Sequence, residues 1–208
     1  EPKNALVRQY RRFFEMEGAM VFCATRENVR HLHASLQERG FAAVALSGEL
    51  SQSERNRALQ ALRDRRARVC IATDVAARGI DLPNLGLVIH AELPNDPETL
   101  QHRSGRTGRA GRKGTCVLIV PYPRKRRTQA LLRAANVEAR WMSPPSLEEI
   151  RARDQERMLA TIIPDDLGEE DRAAGRALLA AHSAEDIAAA FVRAHRADLP
   201  APEKLLDA

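Results

Sequence analysis

The chain has 208 residues, of which 44% are apolar and 29% charged, a composition typical of a soluble globular protein with a substantial core. No apolar run approaches the roughly 20 residues that a membrane-spanning helix requires, and we read no signal peptide, so we expect a cytoplasmic protein without a membrane partner. The net charge of +5 is uneven: residues 1–145 carry 25 basic and 14 acidic side chains (+11), whereas residues 146–208 carry 8 and 14 (−6). The basic part is therefore the candidate for binding a polyanion such as nucleic acid.

Short apolar segments alternate with helical patterns through the first two thirds of the chain. We predict strands at 19–25, 42–47, 68–73, 86–91 and 115–120, and helices at 27–39, 51–65 and 96–104. Ser51, with Glu54 three residues later, has the spacing of a capping box at the start of the second helix. Continuous apolar strands joined by crossover helices indicate an α/β fold with a parallel sheet covered on both faces. Ligands of such sheets bind where the strands end, here at Thr25, Gly48 and Thr73.

The segment Ser-Pro-Pro-Ser at 143–146 interrupts this alternation and marks a domain boundary, which separates residues 1–142 from residues 143–208. Beyond it we predict only helices, at 147–161, at 169–181 and from Ser183 onward. This alanine-rich part has few large apolar side chains, so it must bury them against the first domain or against another copy of itself.

The chain shows no metal-binding pattern. Cys23, Cys70 and Cys116 each lie within an apolar run, which predicts reduced core side chains instead of a disulfide or a metal site. Asp74 follows a strand but has no second carboxylate at a useful spacing, so we assign it a structural or switch-like role. We therefore predict that this chain itself holds no metal.

The most basic stretch is HRSGRTGRAGRKG at 102–114, in which arginines recur at every third position. On a helix, His102, Arg106 and Arg109 share one face. Guanidinium groups keep their charge near neutral pH and bind phosphate oxygens in pairs. The stretch suits either a charged phosphoryl-transfer transition state or a nucleic-acid backbone, and by itself it does not distinguish them.

Residues 72–81, ATDVAARGID, and residues 102–112, HRSGRTGRAGR, resemble motifs V and VI of the DEAD-box RNA helicases, and VFCAT at 21–25 resembles motif IV. The resemblance covers roughly residues 5–142 and corresponds to the second RecA-like domain of a bacterial ATP-dependent RNA helicase. It implies a RecA-like parallel sheet and ATP with Mg²⁺ as the cofactor. The phosphate-binding loop and the Asp-Glu-Ala-Asp sequence do not occur in this chain. We expect them, with the Mg²⁺ ligands, in the N-terminal RecA-like domain of the same protein, just before residue 1.

The resemblance also implies residues for nucleotide binding. Arg106 and Arg109 match the arginine fingers, the catalytic side chains that stabilise charge on the transferring γ-phosphoryl group. Asp81 would accept hydrogen bonds from the ribose hydroxyls, and Gly79 and His102 would complete the contacts with the nucleotide and the N-terminal domain. Because this chain lacks the phosphate-binding loop, we expect it not to hydrolyse ATP alone.

RNA contacts are expected at the other strand ends, where the family binds the sugar–phosphate backbone. Hydroxyl, amide and guanidinium groups are suitable donors to phosphate, and the low aromatic content of 4% favours backbone contacts over base stacking. The sequence Ser-Gly-Glu at 47–49 replaces the usual His-Gly-Asp, so contacts of that His or Asp do not carry over unchanged. The basic run at 124–127 either extends the RNA surface or is a solvated helix start. The expected RNA-binding residues are Thr25, Arg26, Gly48, Gln52, Arg55, Thr73, Arg78 and Gly79.

The helical tail is similar in layout to the segment that mediates dimerisation in some bacterial DEAD-box proteins. We expect a homodimer through residues 147–195, and the alternative is a helical cap folded on its own domain. Two other functions stay open: a non-enzymatic RNA-binding or dimerisation module, and a DNA-acting helicase of another superfamily, which the motif at 72–81 disfavours. The expected dimer contacts are Leu178, Leu179, Ile187, Phe191 and Val192.

Overall fold

The computed structural model describes residues 2–14, 16–80, 82, 85–108, 113–161, 163 and 166–197. The chain forms two compact units, which divide between Ser146 and Leu147. The first unit contains a sheet with helices, and the second is helical. The elements are α1 (Pro2–Phe14), β1 (Gly18–Phe22), α2 (Arg26–Gln37), β2 (Ala43–Leu46), α3 (Gln52–Arg63), β3 (Val69–Ala72), α4 (Asp74–Ala77), β4 (Leu85–His90), α5 (Pro97–Ser104), β5 (Thr115–Leu118), a 3₁₀ turn (Tyr122–Arg124), α6 (Lys125–Ala134), α7 (Leu147–Thr161), α8 (Glu169–Ala181) and α9 (Ala184–Ala197).

The sheet has five parallel strands in the order β2-β3-β1-β4-β5. The predicted α/β fold with a parallel sheet is confirmed, and each predicted strand corresponds to an observed one. The first strand ends earlier than expected, at Phe22 and not at residue 25. Its end is set by Thr25, whose side chain accepts a hydrogen bond from the backbone N–H of Asn28 and so caps α2.

Both faces of the sheet are covered, because successive side chains of a strand point to opposite faces. Val21, Ile71 and Ile89 are fully buried on one face, together with apolar residues of α1 and α2. Each such side chain contributes about 1.5–3 kcal/mol through its removal from water. The opposite face is formed by Met20, Phe22, Leu46, Cys70, Val88 and the alanines of α4, with partly buried residues of α3 against them.

Helix α1 has no counterpart among the predicted elements. Val7 and Tyr10 are buried, but so are the polar side chains of Asn4, Gln9 and Arg11. The apolar residues of α1 nevertheless recur at the spacing of an amphipathic helix, so the sequence carries the signal for this helix and the predicted elements left it out.

Helix α5, which carries the first part of the arginine stretch, begins and ends at well-defined residues. Asp96 caps it by accepting a hydrogen bond from the backbone N–H of Thr99 at 2.7 Å, and Pro97 occupies the first turn. Leu100 is buried in a small cluster with Leu132 of α6. These contacts fix the helix at the edge where β4 and β5 end.

Two of the three cysteines are core residues as predicted. Cys23 and Cys70 are buried, and burial raises the pKa of each thiol to about 12. Cys116 is a free thiol as predicted, but its predicted place in the core is wrong, because it is exposed. Its strand, β5, has a neighbour on one side only, so that an apolar strand at this position is less covered than the inner strands.

The second unit presents apolar side chains to solvent. Leu178, Leu179 and Phe191 are 49%, 57% and 50% exposed, whereas Ile187 and Val192 are half-buried. Ser183 caps the last helix, because its Oγ accepts a hydrogen bond from the backbone N–H of Asp186 at 3.1 Å. Within the described ranges, no helix is both long and apolar enough to cross a bilayer.

Candidate active site

The predicted strand-end residues lie side by side at one edge of the sheet. Thr25 follows β1, Gly48 follows β2 and Thr73 follows β3, and these three strands are neighbours. Thr73 caps α4 by accepting a hydrogen bond from the backbone N–H of Ala76. Gly48 is exposed, with open space where a side chain would extend. The three turns therefore form one accessible polar surface.

Arg26 joins two of these turns. Its Nη1 donates to Glu49 Oε1 at 2.7 Å, and both side chains are more than half exposed. Exposed ion pairs contribute only about 0–1 kcal/mol, so a phosphate can replace the carboxylate at little cost. Glu49 thus occupies the turn after β2 as a partner of Arg26.

Arg55 has a structural contact that the sequence did not predict. Its Nη2 donates to the carbonyl oxygens of Ala76 at 2.9 Å and Arg78 at 3.3 Å, at the end of the short helix α4. It therefore braces the turn that presents Arg78 and Gly79, both of which are exposed. Gln52, one turn earlier on α3, is exposed and donates to Asn56.

Arg103 forms the most buried ion pair of the site. Its Nε and Nη2 donate to the two carboxylate oxygens of Asp74 at 2.6 and 2.7 Å. Its Nη1 donates to the carbonyl oxygen of Glu92 at 2.8 Å, and the guanidinium lies 5.1 Å from the centre of the Phe22 ring. All these contacts tie α5 to the ends of β1, β3 and β4.

Arg106 lies directly after α5 and is half-buried. Its Nη1 donates to the carbonyl oxygen of Ile80 at 2.7 Å. This contact places Arg106 beside the loop that contains Gly79, whose φ of +69° favours glycine. His102 is exposed, with Nε2 4.0 Å from Glu98 Oε1. The predicted residues Asp81 and Arg109 lie outside the described residues.

Thr107 and Gly108, the two residues after Arg106, are held tightly against the sheet. Thr107 Oγ1 donates to the carbonyl oxygen of Leu85 at 2.5 Å, and Gly108 has a φ of +71°. A Cβ on Gly114 would lie 2.2 Å from Thr107 Oγ1 and 2.4 Å from Gly108 N, so only glycine fits there. Thr107 and Gly108, which directly follow Arg106, are therefore held in place.

Glu92, at the end of β4, connects three parts of the first unit. Its carboxylate accepts hydrogen bonds from Lys3 Nζ at 2.7 Å, from Asn28 Nδ2 at 2.6 Å and from the backbone N–H of Ala24. Burial would raise the pKa of Glu92, but these hydrogen bonds outweigh it and hold the pKa below the ordinary value. Glu92 is therefore an ionised hub between α1, the turn after β1 and, through its carbonyl, Arg103.

The family model for the helicase conserved C-terminal domain matches residues 3–111. The chain belongs to this family, and the matched part is called the helicase domain below. Relatives of the helicase domain include the chloroplastic DEAD-box ATP-dependent RNA helicase 3B of Zea mays, 44% identical over 143 residues, covering 69% of this chain and 19% of the relative. Another is the ATP-dependent RNA helicase SrmB of Haemophilus influenzae, 37% identical over 162 residues, covering 73% of this chain and 37% of the relative. The chain thus spans about a fifth of the length of the first relative and more than a third of the second.

Solved structures agree with this assignment. Escherichia coli DEAD-box protein SrmB, bound to regulator of ribonuclease activity A, has a TM-score of 0.59 and 37% identity, covering 67% of this chain and 84% of that chain. Saccharomyces cerevisiae Dbp5, bound to RNA and ADP BeF3, has a TM-score of 0.63 and 27% identity, covering 78% of this chain and 42% of that chain. The helicase domain therefore has the RecA-like fold of DEAD-box C-terminal domains.

Sequence reasoning missed two features of the helicase domain. Glu92 was not recognised, because its partners Lys3 and Asn28 lie 89 and 64 residues away in the chain. The brace from Arg55 to the carbonyl of Ala76 spans 21 residues and depends on α3 packing beside α4. The available signal for Glu92 was that it is a lone carboxylate directly after a buried strand.

Proposed function

We propose that this helicase domain is the C-terminal half of a bacterial cytoplasmic ATP-dependent RNA helicase, which unwinds short RNA duplexes. The observation that carries the proposal is the placement of Arg106. Its guanidinium donates to the Ile80 carbonyl, and Arg106 lies two residues after the end of α5, the helix that the buried Arg103–Asp74 pair holds on the sheet. A permanent cation held at a fixed position stabilises the charge that develops on a transferring phosphoryl group.

In this proposal the ATP and Mg²⁺ bind chiefly to an N-terminal RecA-like domain. Arg106 and Arg109 act as fingers on the γ-phosphate, and Gly79, Asp81 and His102 complete the nucleotide contacts. The positive φ and exposure of Gly79 suit a close approach of the backbone to the nucleotide. We assign the Mg²⁺ ligands to the other domain as well, together with the phosphate-binding loop and the Asp-Glu-Ala-Asp sequence, neither of which occurs in this sequence.

The same proposal places RNA across the adjacent turns that follow β2, β3 and β1. Neighbouring strands lie about 4.8 Å apart, so the turns offer closely spaced donors along one edge. The contacts are directed at phosphate and sugar, which makes binding tolerant of sequence. The proposed RNA-binding residues are Thr25, Arg26, Gly48, Gln52, Arg55, Thr73, Arg78 and Gly79.

The helical unit, we propose, forms a homodimer. Its support is the exposure of Leu178, Leu179 and Phe191, because large apolar side chains that face solvent commonly mark an interaction surface. Light scattering at micromolar concentration tests it: a dimer mass that Leu179→Glu with Phe191→Glu converts to a monomer mass supports the proposal. A monomer mass at every concentration favours the cap folded on its own domain.

Complementation tests the proposed helicase function. The 208-residue chain alone is expected to show no RNA-stimulated ATP hydrolysis. Joined to the N-terminal RecA-like domain of its own protein, it should hydrolyse ATP and respond more strongly to RNA than to DNA of the same sequence. Hydrolysis by the isolated chain, or the absence of hydrolysis by the joined protein, contradicts the proposal.

A further inference from the structure

A cleft lies at the same edge of the sheet as the proposed RNA surface, but beside β4 and β5, whereas that surface follows β1, β2 and β3. Its volume is 270 Å³. The segment after β4 and the start of α5 form one wall, with Leu93 and Pro97, and α6 forms the other, with Leu131 and Ala134. All four of these side chains are apolar, so the floor of the cleft favours an apolar group.

The charged groups of the cleft are all positive among its described lining residues. Arg124 and Arg127 line it, and no acidic side chain does. Neither guanidinium forms an ion pair or a side-chain hydrogen bond with the described residues. Helix α6 starts with Lys125, Arg126 and Arg127 and has no acidic residue in its first turn, where the helix dipole disfavours cations. The rim formed by Arg124 and Arg127 therefore has no negatively charged partner among the described residues, and it attracts carboxylates.

The position and lining of the cleft disfavour RNA as its occupant. The proposed RNA surface follows β1, β2 and β3, whereas the cleft follows β4 and β5 at the other end of the sheet. RNA contacts in this proposal are directed at phosphate and sugar, and the apolar walls of the cleft offer these groups no side-chain donor. An apolar floor with a cationic rim is complementary to an amphipathic acidic peptide.

We propose that this cleft docks an acidic segment of a partner protein. One or two large apolar side chains of that segment enter between Leu93 and Leu131, and flanking carboxylates pair with Arg124 and Arg127. The occupant also touches Pro97, the first residue of the helix that ends just before Arg106. The docked segment would then regulate ATP hydrolysis through α5. This regulation rests on the proposed function, whereas the docking does not depend on it.

Selection from a library of displayed 12-residue peptides on the 208-residue chain tests the docking. The enriched peptides should carry Leu or Phe flanked by Asp and Glu. Fluorescence anisotropy with the best synthetic peptide should show at least a roughly tenfold loss of affinity on Arg124→Glu with Arg127→Glu, as expected for lost charge-assisted hydrogen bonds. The matched control is Arg126→Glu with Arg133→Glu, which makes the same charge change on α6 at residues that do not line the cleft and should retain most of the affinity.

A second variant keeps the charge constant. Ala134→Trp fills the cleft at an exposed helix position, so the protein should fold normally and lose the peptide. A labelled 12-nucleotide oligouridine, measured with the same proteins, separates the two kinds of ligand. If Arg124→Glu with Arg127→Glu weakens the oligonucleotide more than the control pair does and leaves the peptide bound, the proposal is overturned. It is also overturned if no peptide is enriched above background.

Discussion

Arg103 and Asp74 form a bidentate ion pair, with N–O distances of 2.6 and 2.7 Å, that joins α5 to the first turn of α4. Arg103 is 4% exposed, and its remaining donor goes to the Glu92 carbonyl. Arg103, three residues before the proposed finger Arg106, therefore serves the structure. Through Asp74 it also links the helix to the turn that carries Thr73, one of the proposed RNA contacts.

Asp74→Ala should destabilise the protein, because it leaves the buried guanidinium of Arg103 without its carboxylate. Loss of one partner of a fully buried pair costs about 3–5 kcal/mol, and since Asp74 is 39% exposed we expect about 2 kcal/mol. Urea unfolding measures this change. Glu49→Ala, which removes the exposed partner of Arg26, is the control and should cost under about 1 kcal/mol. Equal losses for the two variants would show that the buried pair has no special role.

Gly114→Ala should destabilise the segment after Arg106. The added Cβ would collide with Thr107 Oγ1 and with the backbone nitrogen of Gly108, and overpacking of this kind costs about 1–3 kcal/mol. Gly48→Ala is the control, because nothing lies within 4 Å of its Cβ position. The shift in the midpoint of thermal unfolding distinguishes the two. A Gly114→Ala protein as stable as the Gly48→Ala protein would refute the close packing.

Stability should depend on pH through His90, which is fully buried at the end of β4. Burial, with the nearby charge of Arg103, lowers its pKa from 6.5 to about 3, against an opposing effect of Asp74. Between these two values only the unfolded state takes up the proton. The free energy of unfolding therefore falls as the pH decreases through 6.5 and below, by up to about 1.4 kcal/mol per pH unit, and the contribution of His90 fades above about pH 7.5.

Denaturant unfolding at pH 7, 6 and 5 checks this dependence, since the ordinary carboxyl groups titrate mostly below that range. His90→Gln should flatten the profile, although it lowers stability at pH 7 as well. Parallel profiles for the two proteins would mean that His90 is protonated equally in the folded and unfolded states.

Features that depend on local pattern were predictable from the sequence. Apolar strands that alternate with crossover helices along the chain predicted the parallel sheet. Because parallel strands end at one edge of a sheet, Thr25, Gly48 and Thr73 were predicted to lie together. Features that depend on packing between distant segments were not. The hub at Glu92 and the exposure of Cys116 follow from the strand order, which no local pattern encodes.

The central claim is that Arg106 acts on the nucleotide and not on RNA. The most direct test is steady-state ATP hydrolysis, with saturating RNA, by the protein joined to its N-terminal domain. Arg106→Ala should lower kcat by about 10³-fold or more, as for other arginine fingers, while RNA affinity changes less than about twofold. Arg133→Ala, on the exposed side of α6, should leave both unchanged. An unchanged kcat for Arg106→Ala together with weakened RNA binding would contradict the claim and identify a non-enzymatic RNA-binding module.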